Sequence, residues 1–353
     1  MLFSTRGRLA KNIATAVTTF GIILLSGCSS VVYKVTGDTM TNIGEDVMVP
    51  YLLTTDDSKI ACASGEALTP MLMSFSTVST PPDQLEVLLG LVGGACASQR
   101  AVELELEYDR YSGEKRITQA QDARIRAKRW HAIAAARYFA SYKALSRALG
   151  EPGDQCPLFD NDFEQLIWMV GSVAGLQAAL ADVQANMAVG VPFNVAPKVE
   201  RGMTCLDDDK HNRKWWGLPK AIRSALWTIV PGVTPEGVDA WTELTKARQM
   251  GMEEGVRLPS ALDALVSYND SNMTRVREII REHAKSVQST ASNREYRMLD
   301  VMAGDLLLEV SDRLWTENTG HRTPIGEYGT FWDDKKEEAV IEIELLRAME
   351  TLL

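Results

Sequence analysis

The chain has 353 residues, 37 Lys and Arg against 47 Asp and Glu, and a formal net charge of −10. With 45% hydrophobic and 24% charged residues it has a globular composition, which excludes a disordered chain, a collagen and a polytopic membrane protein. The acidic balance argues against a nucleic-acid binder, because such proteins need a basic face to displace counterions from phosphate.

The first thirty residues read as an address. Arg6, Arg8 and Lys11 make a basic start, and no acidic residue precedes Asp38. An apolar run from Ile13 to Leu25 follows, then Leu25-Ser26-Gly27-Cys28. These are the parts of a secretory signal, and the run is shorter than the ~20 residues a membrane-spanning helix needs. A Cys at the cleavage boundary resembles the lipobox of bacterial lipoproteins. By that resemblance residues 1–27 are removed and Cys28 carries the lipid anchor. Ser29 and Ser30 follow, with no Asp after the Cys, which resembles an outer-membrane lipoprotein facing the periplasm. Loss of the three cationic side chains takes the charge from −10 to −13.

Export changes how the cysteines read. Cys62, Cys96, Cys156 and Cys205 remain, an even number in an oxidising compartment. Cys62 and Cys96 lie almost equidistant from the Ser79-Thr80-Pro81-Pro82 break. An antiparallel hairpin there brings their Cα atoms together, and Cys156 and Cys205 are then left to pair. Four buried free thiols are the alternative. The four His residues are scattered, without HExxH or a CxxC, so no metal site is expected.

Residues 28–37 read as a lipidated tether. From Asp38 onward helical spacing dominates, with a stripe of Met40, Ile43 and Val47 and another of Leu68, Met71, Leu72 and Phe75. Asp83 stands where an N-cap is wanted before Leu85, Leu88, Leu89 and Val92. Gly90, Gly93, Gly94, Ala95 and Ala97 give that helix a small-residue face for close helix packing. No GxGxxG or GxxxxGK is present, so no cofactor is expected. A long helix follows from Ile117 to Leu149, stopped at Gly150. Asp160 or Asn161 caps the next, from Phe163 to Val183, and Val199, Met203 and Leu206 mark a short partner. Residues 207–214 read as a charged loop running into Trp215-Trp216. Helical spacing then covers Pro219–Val230, Thr234–Gly251, Pro259–Tyr268, Met273–Val287 and Arg294–Trp315. The last carries Leu299, Met302, Leu306, Val310 and Leu314 at three- and four-residue steps. Residues 319–334 read as a loop, and the segment after Val340 as a helix. The expected fold is all-α: stacked antiparallel hairpins in a degenerate tetratricopeptide-like array, or an irregular bundle. Residues 38–353 form the folded part, with 207–218 as the place for any subdivision.

Four features resemble the T-component (TatT) lipoproteins of tripartite ATP-independent periplasmic (TRAP) transporters. They are the lipobox Leu25–Cys28 with Ser29-Ser30, the segment Asn42-Ile43 to Met71-Leu72, and Arg137-Tyr138-Phe139 through Leu145. The fourth is Phe163 to Trp168, followed by Ala196-Pro197-Lys198-Val199-Glu200. The resemblance covers about residues 20–205 and fails beyond, where Trp215-Trp216-Gly217-Leu218-Pro219 begins an unfamiliar stretch. It implies a non-enzymatic, repeat-like helical lipoprotein that oligomerises and works beside a periplasmic solute-binding protein. The competing role is a structural lipoprotein that scaffolds cell-envelope complexes.

Motifs for catalysis are weak. Ser172 in Gly171-Ser172-Val173-Ala174-Gly175 is not in a GxSxG turn. Glu103, Glu105, Glu107 and Asp109 read as a solvated helix face. Trp215, Trp216, Trp227 and Trp241, with Arg213 and Lys214 beside them, suggest either dense core packing or an apolar groove. Such a groove would take a hydrophobic or organic-acid solute, or a partner's helix.

Overall fold

A computed structural model describes residues 30–334. Cys28 with its lipobox, and the helix expected after Val340, lie outside the described residues. Within them the chain is all-α, with no strand. Helix α1 covers residues 30–54, with a π-helical turn at Gly44–Met48 before it resumes at Val49–Thr54. The wide turn falls just ahead of Pro50, which has no N–H and whose ring crowds the preceding turn of an α-helix. The tether expected over 28–37 is therefore helical from residue 30. Gly37 explains the docking: a Cβ there would lie 2.5 Å from Ser79 Oγ, so only glycine lets α1 approach the turn at 75–80. Asp38 reinforces it by accepting the Thr80 N–H at 3.1 Å.

Helix α2 is Ser58–Ser74, α3 is Asp83–Gly113, α4 is Ile117–Leu149 and α5 is Asp162–Gln184. Asp57 caps α2 by accepting the Lys59 and Ile60 N–H groups, and Asn161 caps α5 through the Glu164 N–H. Asp83 does not cap α3. Its carboxylate instead takes the Arg147 Nε at 2.8 Å. These four helices lie antiparallel in chain order. Gly90 meets Ser141, Gly94 meets Tyr138 and Glu105 meets His131, so α4 descends as α3 ascends. Gly171 against Leu145 and Gly175 against Tyr142 reverse the direction again. Their lengths of 17, 31, 33 and 23 residues share no repeat unit, so the stack is irregular rather than a regular array.

The structure joins Cys62 to Cys96, with Cα atoms 5.6 Å apart, and Cys156 to Cys205 at 5.5 Å. The first bond crosses from α2 to α3. The second ties the α4–α5 connection to the end of α6.

The remaining helices are α6 (Val195–Met203), α7 (Asp209–Lys214), α8 (Leu218–Ile229), α9 (Ala240–Glu254), α10 (Leu258–Asn269), α11 (Met273–Ser289) and α12 (Arg297–Thr319). Two of these correct the sequence reading. The charged segment at 207–214 contains a short helix, because Asp208 accepts the His211 N–H and nucleates it. The helix expected from Thr234 starts at Ala240, because Gly232 and Gly237 at φ 78° and 76° hold the preceding segment in turns, and Asp239 caps the start. Trp168, Met203, Leu206, Trp215 and Leu218, from either side of residues 207–214, share one core.

Helix α12 returns to the first layer. Arg297 pairs with Asp56, Asp305 accepts the Ser58 hydroxyl at 2.7 Å, and Arg313 pairs with Glu105. Its root is fixed by Arg257, whose side chain is fully buried. Arg257 donates to Asp300, to the Ser286 hydroxyl, and to the Ser286 and Thr290 carbonyls. One guanidinium thereby closes the C-terminus of α11 and the first turn of α12 together.

Candidate functional site

The tryptophan groove expected at Arg213, Lys214, Trp215, Trp216, Trp227 and Trp241 does not form. Trp215 is 1% exposed and donates its indole N–H to Gln165 Oε1 at 2.9 Å. Trp216 is buried against the Tyr296 ring, with centroids 4.7 Å apart. Trp227 is buried and donates to Glu200 Oε1 at 3.0 Å. Trp241 lies under the Arg275 guanidinium, and Lys214 spends its charge on Asp162. Arg213 stands exposed. Trp215, Trp216 and Trp227 are core anchors, and the indole N–H groups of Trp215 and Trp227 are satisfied, the usual state of buried tryptophan. The chain can turn sharply there because Trp216 and Gly217 both have positive φ, 53° and 78°. A Cβ on Gly217 would meet the Ala247 carbonyl oxygen at 2.6 Å.

A cavity lies instead where α12 crosses α3, α5 and α10. Its volume is about 110 Å³, and Leu91, Val170, Leu258, Leu262, Leu299 and Met302 are among its walls. Ser98, Gln99, Tyr138, Gln177 and Glu309 make its polar part, and Glu309 is the one charged residue lining it. A second apolar space of about 60 Å³, on the α1 side, shares Leu91, Val170, Leu299 and Met302 as a common wall. On the solvent side Gln99 and Glu309 also line an outer recess of about 160 Å³ with Lys59, Glu103, Asp305, Asp312 and Arg322. Gln99 and Glu309 thus stand between the apolar interior and a charged mouth.

Glu309 is half-buried and makes no hydrogen bond or ion pair with any described residue. Burial raises its carboxyl from 4.5 to about 7. Arg313 and Lys59 oppose that rise, and Asp305 and Glu103 add to it. Burial also raises the Tyr138 phenol well above its ordinary value. An unpaired carboxyl with a perturbed pKa on the wall of an apolar cavity marks a candidate binding site.

The spacing on α12 explains how the sequence concealed it. The apolar stripe read as one face is two. Leu299, Met302, Leu306 and Glu309 face the cavity, whereas Leu307, Val310 and Leu314 pack into a separate core with Ile279 and Ile280 of α11. Glu309 keeps the three- and four-residue step of the first set. A carboxylate in phase with an apolar stripe is the signal that could have found it.

A second, polar cleft of about 420 Å³ opens between α3, α4 and α12. It corrects the solvated reading for Glu105 and Asp109, which line it, while Glu103 is exposed. Glu105 accepts from His131 Nε2 at 2.7 Å and pairs with Arg313. Despite its burial those partners hold its carboxyl at about 2. Glu103 pairs with Arg322 and Glu107 with Arg126, while burial raises Asp109. His131 is 2% exposed and its Nδ1 has no partner. The hydroxyls lining this cleft are those of Tyr108 and Tyr268, and Tyr268 donates its own to Glu317. The evident work of the Glu105–His131 pair is to clamp α3 to α4 and, through Arg313, to α12. Ser172 is fully buried in the middle of α5, and no group of three metal-ligating side chains occurs among the described residues.

No protein-family model, curated protein or solved structure matches the chain, and the likeness to the TRAP T-components rests on its motifs alone.

Proposed function

We propose that this protein is a periplasm-facing lipoprotein, anchored through Cys28, that holds a small and largely apolar solute between α3, α5, α10 and α12. In that reading it serves TRAP-type uptake as an accessory component that passes the solute to or from a solute-binding protein, without catalysing a reaction. The observation that carries the proposal is the 110 Å³ cavity with unpaired Glu309 on its wall. Well-packed cores leave few voids larger than a water molecule, and dry apolar cavities of about 150 Å³ take up benzene-sized guests.

The test is native mass spectrometry and calorimetry with small aromatic and aliphatic solutes, on the protein and on Ala95→Phe. Ala95 lines the cavity, and a phenyl ring there would occupy it. Saturable binding that Ala95→Phe abolishes while unfolding at an unchanged temperature supports the reading. Equal binding by the filled variant refutes it.

A second reading, a scaffold for envelope complexes, is favoured by one observation. Ile43, Val47 and Tyr51 recur at four-residue steps on α1, and all three are exposed, as are Val31, Val32 and Val35 nearer the anchor. Crosslinking from Tyr51 to an envelope-assembly protein, with no solute bound, would favour this role.

A further inference from the structure

We infer that the solute is a small hydrophobic cation, an amine whose apolar body fills the cavity and whose ammonium sits against Glu309. This rests on the solute-holding reading above and adds the sign of the charge. Glu309 is the only charged side chain among the cavity's lining residues. A carboxylate in such surroundings is costly unless a positive partner meets it.

The nearby cations are committed elsewhere. Lys59 donates to Gln99 at 2.8 Å, Arg313 pairs with Glu105, and Arg322 pairs with Glu103. Lys59 and Arg313 ease the ionisation of Glu309 from a distance but form no ion pair with it, and no cation lines the cavity to receive the carboxylate of an organic acid. The organic-acid solute expected from Arg213 and Lys214 therefore has no counterpart at this cavity, whereas an ammonium supplies the missing charge.

The mouth favours the same sign. Glu103, Asp305, Glu309 and Asp312 there outnumber Lys59 and Arg322, which draws cations inward. An ammonium has three N–H donors, and the Ser98 hydroxyl and Gln177 carbonyl also line the cavity as acceptors. The volume sets the size. A cavity of about 150 Å³ accommodates benzene, so 110 Å³, with a second space of 60 Å³ behind the shared wall of Leu91, Val170, Leu299 and Met302, suits a body of about six carbons.

The experiment compares benzylamine, benzyl alcohol and benzoate by calorimetry at about pH 8, where Glu309 is ionised. Benzylamine is expected to bind about tenfold or more tighter than benzyl alcohol, with benzoate weakest. Glu309→Gln should erase the preference for the amine while leaving benzyl alcohol unchanged. Lowering the pH through about 7 should weaken the amine alone as Glu309 takes up a proton. The charged groups around it (Lys59 on α2, Glu103 on α3, Asp305 and Arg313 on α12) set where that occurs. Benzyl alcohol or benzoate binding as tightly as benzylamine, or an amine preference that survives Glu309→Gln, overturns the inference and leaves the solute-holding reading standing. Failure of all three probes to bind the folded protein overturns both.

Discussion

Replacing Glu309 by Gln should stabilise the protein at neutral and higher pH, with a magnitude that follows from the site. The Glu309 carboxyl titrates near 4.5 in the unfolded chain and near 7 in the fold, because burial disfavours its ionised form. The folded state therefore holds a proton that the unfolded state has lost throughout that interval. Stability falls as pH rises from about 4.5 to about 7 and is level in this respect above it. At about 1.4 kcal/mol per pKa unit the full penalty is about 3 kcal/mol. That figure is a ceiling, since Glu309 reaches the mouth and water there screens its charge. The neutral amide keeps the shape and removes the ionisation. Urea midpoints measured for both proteins between pH 4.5 and 8 should coincide at the acid end and diverge in favour of Glu309→Gln toward pH 8. The difference isolates this one group, because the raised carboxyls of Glu45, Glu86 and Asp109 are common to both proteins. A difference independent of pH, or a variant less stable at pH 8, would refute the argument that Glu309 lacks a partner.

Arg257→Met should cost about 3–5 kcal/mol in chemical denaturation, because it leaves Asp300 charged and buried. Pairing it with Asp300→Leu should return much of that loss, and a double variant as weak as the single one would contradict the pairing. Trp215→Ala should cost about 3–5 kcal/mol as a cavity in the core, with solute binding retained wherever the variant is folded. Loss of binding without loss of stability would restore the tryptophan groove. Converting both Cys62 and Cys96 to Ala opens a loop with a sequence separation of 34 residues, which costs about 3–4 kcal/mol on loop entropy. Denaturant midpoints equal to those of the intact protein would show that α2 holds to α3 without the bond.

Much of the architecture was legible because amphipathic helices write their period into the chain. Stops such as Gly150 and caps such as Asn161 carry their own local chemistry. Boundaries failed where tertiary contacts decide them. The segment Val31-Val32-Tyr33-Lys34-Val35, rich in β-branched and aromatic residues, is weakly helical by propensity, yet it is helical where α1 docks through Gly37 and Asp38. The site was less legible. Tryptophans clustered in sequence imply a surface only if their indoles lack partners, and Gln165 and Glu200 come from α5 and α6, far along the chain. Glu309 is the reverse case: one charged residue in an apolar phase, recognisable only once the neighbours of α12 are known.

The place of the cavity follows from where glycine allows helices to touch. Gly90 and Gly94 on α3, and Gly171 and Gly175 on α5, receive Ser141, Tyr138, Leu145 and Tyr142 of α4 so closely that added Cβ atoms would lie 2.4–3.0 Å from those side chains. Backbones drawn together this tightly leave no room for a guest. On their far side α3 and α5 meet α12 through Leu91, Val170, Leu299 and Met302, side chains larger than glycine or alanine that space the helices further apart. Branched and flexible side chains fill such a gap incompletely, and the remainder is the space that Glu309 overlooks. The small-residue faces that make the α3–α4–α5 stack rigid thus also confine the adaptable packing to α12. The ion pairs of α12 with Asp56 and Glu105 fasten it to the first layer on either side of that gap along the helix. A solute held there would meet the glycine-packed stack on one side and the larger side chains of α12 on the other.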